Sequence, residues 1–272
     1  MSELSFIKMH GLGNDFVVVD GRGGDVALDS TRVRAIAERR EGVGCDQLLE
    51  ICAPNSEEAD AFMRIWNADG GQVEACGNGT RCVAAFLMME SGESETVIET
   101  VAGLLKAEAA GPGLVAVDMG AARTEWNEIP LAREMDTLSL DLALGELSAP
   151  VAGHMGNPHA VFFVDDAEAV DLASLGPQLE VDALFPQRAN IGVAQVTDKE
   201  NIRLRVWERG VGLTQACGSG ACAALVAAAR RELTGRRATV TLGGGTLEIE
   251  WLEDNHVRMT GPVATSFMGM LL

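Results

Sequence analysis

What this chain has little of narrows its identity before any motif is read. Of its 272 residues 21 are basic against 40 acidic, a formal net charge of −19. Binding to a phosphate backbone draws its affinity from clustered Lys and Arg, so nucleic acid is excluded as a partner. The acid excess reads as a solvated surface that favours solubility. Long apolar runs are also missing. The longest, Cys82 to Met89 and Ala221 to Ala229, fall far short of the roughly 20 residues a membrane span needs. The N-terminus carries Glu3 and no signal-like hydrophobic segment, so a cytoplasmic protein without membrane attachment is expected. There is no low-complexity tract, and 47% hydrophobic with 22% charged residues supplies enough apolar material for packed cores.

Six cysteines are present: Cys45, Cys52, Cys76, Cys82, Cys217 and Cys222. Without a secretory segment a reducing compartment is expected, so these read as thiols and not disulfides. The spacings Cys-x5-Cys and Cys-x4-Cys do not form the paired short knuckles of a tetrahedral zinc site, and no metal is expected.

Two of the six belong to a repeat. Glu74-Ala75-Cys76-Gly77-Asn78-Gly79 returns as Gln215-Ala216-Cys217-Gly218-Ser219-Gly220. Around it, Arg64-Ile65-Trp66-Asn67 falls on Arg205-Val206-Trp207-Glu208, Gly13-Asn14 on Gly156-Asn157, Gln47 on Asn190, Gly103 on Gly245 and Glu108 on Glu250. The period is about half the chain, far longer than the roughly 20–50 residues of a solenoid unit. It points to two similar domains made by duplication: residues 1–120, with the tail 262–272 packing back on them, and residues 121–261.

The coarse pattern is mixed α/β. Alternating or β-branched runs at Phe16 to Val19, Gln47 to Ile51, Phe62 to Trp66, Ile202 to Trp207, Thr246 to Trp251 and Val257 to Met259 predict strands. Gly111-Pro112-Gly113 and Asp254-Asn255 predict hairpin turns, hence a largely antiparallel sheet. The helices that stand out follow the cysteines, Thr80 to Met89 and Ala221 to Arg230; they are apolar around most of their circumference and should be buried.

That order places Cys76 and Cys217 at helix N-termini, where free backbone N–H groups and the macrodipole favour negative charge. Both thiols are therefore expected to ionise readily. Gly77, Gly79, Gly218 and Gly220 clear side chains from beside the sulfurs, so backbone amides can hold a carboxylate. Inverting a carbon stereocentre without a cofactor needs a base on one face and an acid on the other, and two thiols, one per domain, answer that need.

Met9-His10-Gly11-Leu12-Gly13-Asn14-Asp15-Phe16, Gly44-Cys45-Asp46-Gln47, Asn67-Ala68-Asp69-Gly70, Ala75-Cys76-Gly77-Asn78-Gly79-Thr80-Arg81-Cys82, Gly156-Asn157-Pro158-His159 and Glu208-Arg209-Gly210 through Gly220 resemble the diaminopimelate epimerase family over the whole chain. The resemblance implies two pseudo-symmetric α/β domains, each an antiparallel sheet or barrel curled around its central helix, with the active site in the interdomain cleft. It implies a cofactor-independent isomerase that converts LL-2,6-diaminopimelate to the meso form in lysine and peptidoglycan-precursor biosynthesis, and a homodimer. By the same resemblance Cys76 accepts the α-proton of the LL isomer and Cys217 delivers one, while His159 and Glu208 tune or exchange protons with them. Asn14, Gln47, Asn67, Asn78, Asn157, Asn190, Glu208 and Arg209 bind substrate, Arg209 at the distal carboxylate. Gly77, Asn78, Gly218 and Ser219 hold the carboxylate beside the reacting carbon. From the residues alone the alternative for His159 is a satisfied, partly buried imidazole, and for Glu208 an ion pair with neighbouring Arg209.

One position departs from the family pattern: Leu213 stands where glutamate is common, which is expected to alter the capping or charge balance near Cys217. Other readings are weaker. A proline racemase-like enzyme has histidine where this chain has Asn78, and its smaller substrate has no use for Arg209. A PhzF-like isomerase lacks the cysteine pair. A pyridoxal-phosphate racemase needs a Schiff-base lysine, and Lys8, Lys106 and Lys199 sit in no recognisable motif. A non-catalytic amino-acid-binding protein or a thiol redox protein would use the cysteines without inverting a stereocentre.

Overall fold

Among the described residues four helices connect parallel strands, and this single device recurs in both halves of the chain. The computed structural model describes residues 3–24, 26–74 and 76–271; Ala75 of the first cysteine motif and Leu272 of the tail lie outside them. The chain divides into one unit that runs to Val117 and resumes at Thr260, and a second unit from Asp118 to Met259.

The first unit contains β1 (Leu4–Gly11), β2 (Asn14–Asp20), α1 (Ser30–Ala37), β3 (Gln47–Cys52), β4 (Ala61–Asn67), β5 (Gln72–Val73), α2 (Gly77–Ser91), β6 (Glu95–Thr100), β7 (Gly103–Gly111) and the start of β8 (Leu114–Ala121). The second contains β9 (Ala143–Leu144), β10 (Leu147–Ser148), β11 (Val151–His154), β12 (Pro158–Phe163), α3 (Leu172–Glu180), β13 (Asn190–Asp198), β14 (Asn201–Glu208), β15 (Gly212–Thr214), α4 (Gly218–Arg230), β16 (Arg237–Leu242), β17 (Gly245–Trp251) and most of β18 (His256–Pro262). β19 (Ala264–Leu271) belongs to the first unit, where it pairs antiparallel with β1.

In the first unit β2 pairs parallel with β3 and β4 parallel with β6. Two parallel strands that follow each other in sequence need a crossover, and α1 and α2 supply it. In the second unit α3 and α4 do the same between β12 and β13 and between β14 and β16. β1–β2, β3–β4, β6–β7, β11–β12, β13–β14 and β16–β17 are antiparallel, as is the β7–β8 hairpin that turns at Gly111-Pro112-Gly113. Register repeats along with topology: Phe16 pairs with Gln47 and His159 with Asn190, Leu48 with Trp66 and Ile191 with Trp207, Thr100 with Gly103 and Leu242 with Gly245.

The helices behind the cysteines are central to their units. α2 packs against β1, β2, β3, β6 and β7, and α4 against β11, β12, β13, β14, β16 and β17. In α4 every residue from Gly218 to Ala228 except Ser219 is buried, as its apolar composition demands. α2 differs from the sequence expectation in one respect: Arg81, in its first turns, is as buried as any leucine. Side chains such as Leu48, Leu49 and Ile65 lose all but a trace of their exposure, each worth about 1.5–3 kcal/mol of hydrophobic stabilisation.

Residue patterning did not single out α1 and α3, which are short. Their start signals are Asp29 and Asp171, whose side chains accept from the backbone N–H groups of Arg32 and Ser174. The tail, apolar and expected to pack back on the first half, forms β19 with Phe267, Met268 and Met270 about half exposed or more.

Candidate active site

Cys76 and Cys217 are the N-cap residues of α2 and α4. Both have extended backbones, and each sulfur accepts the N–H three residues on, Gly79 to Cys76 at 3.4 Å and Gly220 to Cys217 at 3.3 Å. A sulfur in the cap position takes one of the orphan donors of the first turn. The glycines keep tight contacts open: a Cβ on Gly220 would sit 3.1 Å from the Cys217 sulfur, and one on Gly79 would press on Leu49 at 3.1 Å. None of the six cysteines is in a disulfide. Burial raises Cys45 and Cys52 to about 11 and Cys82 to about 12, which leaves those three inert.

The two cap cysteines are not equivalent. Cys76 is half-buried, whereas Cys217 is 4% exposed. The expectation that a helix N-terminus would make both ionise readily fails for Cys217. Burial, and then the negative charge of Glu208, push its thiol well above the ordinary value, outweighing the Ser219 hydroxyl and the Gly220 N–H that favour thiolate. Glu208 is a hydrogen-bonding neighbour of Cys217 and also accepts from the Thr214 hydroxyl. Although part of its surface stays accessible, protein crowds the carboxylate and its own pKa is raised by that desolvation. Thiol and carboxylate thus form a pair in which the sulfur keeps its proton.

The other candidates of the first unit are brought together by β2, β3, β4 and α2. Gln47 and Asn67 face each other in register and bond, Nε2 to Oδ1, at 2.9 Å. Asn14, at the start of β2, donates to Asp46 at 2.8 Å and accepts from Asn78 at 3.2 Å. Gly77 and Asn78 are the first two residues of α2.

In the second unit, Gly218 and Ser219 open α4, with the Ser219 hydroxyl 3.7 Å from the Cys217 sulfur. Asn190 donates to the Pro158 carbonyl and accepts from the Arg209 backbone N–H, both at 2.9 Å. The Arg209 guanidinium donates to the Gln187 carbonyl at 3.0 Å and not to Glu208, which removes the local ion pair that the sequence left open. Asn157 Oδ1 lies 2.7 Å from His159 Nε2.

Since an amide oxygen only accepts, that contact places the His159 proton on Nε2. Its Nδ1 is buried without a partner among the described residues. Burial, then the charges of His154 and Arg209, lower the imidazole from 6.5 to about 3, so it is neutral. Between those values unfolding takes up a proton. The stability this residue contributes is therefore complete above about pH 6.5 and is lost as pH falls towards 3, by up to about 1.4 kcal/mol per pH unit. His159→Gln is expected to flatten that dependence, measured as the difference in urea midpoint between about pH 7 and about pH 5; equal differences in both proteins would refute it.

The sequence pattern of the diaminopimelate epimerase family matches residues 6–125 and 151–266. A diaminopimelate epimerase of Rhodospirillum centenum is 58% identical over 266 residues, covering 98% of this chain and 91% of its own length. The chain belongs to the diaminopimelate epimerase family. Its members are isomerases, and the fold is shared more widely. A PhzF-family phenazine biosynthesis protein of Bacillus anthracis superposes with a TM-score of 0.70 at 17% identity, covering 100% of both chains. A probable proline racemase of Agrobacterium radiobacter K84 does so with a TM-score of 0.70 at 16% identity, over 99% of this chain and 93% of its own.

Against the family pattern, Leu213 is exposed on β15, opposite Trp207. The carboxylate beside Cys217 is Glu208, and the cap is the Cys217 sulfur accepting the Gly220 N–H, so neither feature involves residue 213. Residue patterning missed one side chain that steadies the candidates of the second unit. Glu180, buried at the end of α3, accepts from Trp207 Nε1 at 2.8 Å and from Gly210 N–H at 2.9 Å, clamping the Glu208-Arg209 segment from both sides. Gly176, one turn earlier, lets α3 approach, since a Cβ there would lie 2.5 Å from the Trp207 ring. No local signal marks Glu180, because its partners are far along the chain. Among the described residues no cluster of His, Cys, Asp and Glu is arranged to hold a metal ion, and no helix is long and apolar enough to cross a membrane.

Proposed function

We propose that this chain interconverts LL- and meso-2,6-diaminopimelate without a cofactor, by a two-base thiol mechanism. The observation that carries the reading is the pair of sulfurs capping the equivalent helices of a duplicated fold, in a chain 58% identical to a protein named for that reaction. The Cys76 thiolate takes the α-proton from the LL substrate, and the electron pair of the C–H bond passes to the α-carbon and its carboxylate. Cys217 then gives its S–H proton to the opposite face, leaving Cys76 as thiol and Cys217 as thiolate. Proton exchange with solvent restores the starting state, and the reverse reaction runs the same steps backwards.

The asymmetry of the pair supports these roles. Desolvation and Glu208 keep the Cys217 proton in place, as the acid requires, while Cys76, the less buried of the two, takes the role of base. The helix-terminal N–H groups at Gly77, Asn78, Gly218 and Ser219 stabilise charge as it builds on the carboxylate beside the reacting carbon. Asn14, Gln47, Asn67, Asn157 and Asn190 read the ammonium and carboxylate groups, Arg209 pairs with the distal carboxylate, and Glu208 and neutral His159 serve the acid side. The enzyme works as a cytoplasmic homodimer in lysine and peptidoglycan-precursor synthesis; the exposed apolar side chains of β19 are consistent with a subunit contact.

Incubating the reduced protein with LL-diaminopimelate in deuterated water is expected to yield meso product with deuterium at the inverted carbon. Bound substrate with neither deuterium nor meso isomer would overturn the reading in favour of a binding protein.

A further inference from the structure

Arg81 has no solvent exposure. A buried charge is costly unless paired, and a cation in the first turns of a helix opposes the macrodipole. Its Nη2 donates to Asn78 Oδ1 at 2.9 Å; Asn78 Nδ2 donates to Asn14 Oδ1 at 3.2 Å; and Asn14 Nδ2 donates to Asp46 Oδ2 at 2.8 Å. The ends of this chain have fixed polarity, because a guanidinium only donates and a carboxylate only accepts. Each amide between them has two flips, and one combination alone makes all three bonds.

We propose that Arg81 and Asp46 are positioning residues that lock the amide orientations of Asn78 and Asn14, so that each presents its second Nδ2–H to an acceptor, a carboxylate, on the substrate. The proposal rests on the reading that Asn14 and Asn78 bind substrate. The Asp46 end is itself anchored: Oδ2 accepts the Asp15 N–H at 3.1 Å and Oδ1 accepts from Arg39 at 2.6 Å. Asp15 in turn is gripped by Arg39 and Lys8, which hold its carboxyl well below the usual carboxylate range against the opposing effect of burial. Gly11 leaves room for the guanidinium, since a Cβ there would lie 3.1 Å from Nη2.

The relay belongs to one copy of the duplication. At the equivalents of Asp15, Asp46, Asn78 and Arg81 the second unit has Pro158, Ala189, Ser219 and Cys222. There Asn157 bonds to His159, and Asn190 is oriented by the Pro158 carbonyl and the Arg209 N–H. Binding amides recur in both units, but the groups that orient them do not.

The test compares Arg81→Met, Arg81→Lys, Asp46→Asn and Asn14→Ala in steady-state kinetics with LL-diaminopimelate and in side-chain amide spectra of asparagine-labelled protein. An asparagine at 46 donates as readily as it accepts, so it no longer enforces polarity, and Asp46 is exposed enough for that variant to fold if Arg81→Met does not. Asp46→Asn and Arg81→Met are expected to raise KM about tenfold, the scale of a lost charge-assisted hydrogen bond, with kcat changed by less than about twofold. Arg81→Lys, which keeps a donor, should fall between, and the Asn14 and Asn78 amide signals should shift in all three. Wild-type KM in the Arg81 and Asp46 variants, with Asn14→Ala raising it, overturns the proposal. If Asn14→Ala itself leaves KM unchanged, the substrate reading has failed, and the amide signals alone decide the relay: shifted signals uphold it and unmoved ones overturn it.

Discussion

Replacing Cys217 by serine is expected to lower kcat/KM for epimerisation by roughly 10²–10⁴-fold, the range attributed to a positioned general acid or base, and to separate proton removal from inversion. With Cys76 intact, the proton of the LL centre still comes off, but no thiol on the opposite face returns one. A solvent deuteron re-enters from the Cys76 side, so deuterated LL substrate accumulates while meso does not. Cys76→Ser should suppress both label and inversion from the LL isomer, because the hydroxyl of serine is too weak an acid to stand as its anion near neutral pH. Each variant is assayed in deuterated water by mass and by chiral separation of the isomers. Meso product at the wild-type rate from either variant would end the two-base assignment. The contrast also tests the asymmetry of the site, since it depends on Cys217 holding a proton beside Glu208.

Arg209→Met should lower kcat/KM for diaminopimelate by about 10²–10³-fold, the cost of leaving a recognised charge without its partner. Arg209→Lys should restore little of it, because an ammonium keeps the charge and loses the planar fork that grips a carboxylate. The guanidinium spends one N–H on the Gln187 carbonyl and has others for a ligand. The decisive control is lysine, which is diaminopimelate without the distal carboxylate. If Arg209 reads that group, the slow α-proton exchange of lysine should be unchanged in Arg209→Met, so that discrimination between the two compounds collapses. Equal losses on both would place the effect of Arg209 elsewhere, for instance in the packing of its loop against Asn190.

Much of this site was legible because its grammar is local. A cysteine followed by glycine-x-glycine and an apolar run specifies an N-cap and a buried helix within a few residues, and the structure has both. The hairpins at Gly111-Pro112-Gly113 and Asp254-Asn255 were legible for the same reason. Arg81 was not: inside an apolar helix it reads as an interruption, and the relay it starts runs through Asn78 to Asn14 on β2 and Asp46 just before β3. Glu180 was invisible because Trp207 and Gly210 lie far along the chain. The ionisation of Cys217 was misjudged because the helix terminus is visible in sequence and the desolvation that outweighs it is not.

Taken alone, the sequence determined that the chain is a duplicated member of its family, with two matched thiols at helix starts and a set of amides around them, because motif, spacing and capping depend on neighbours along the chain. Which sulfur holds its proton, which way Asn14 and Asn78 face, and what steadies Arg209 were decided by tertiary structure. Desolvation and hydrogen-bond polarity are set by groups that meet only when distant segments fold together, and here those groups differ between the two copies of an otherwise repeated design.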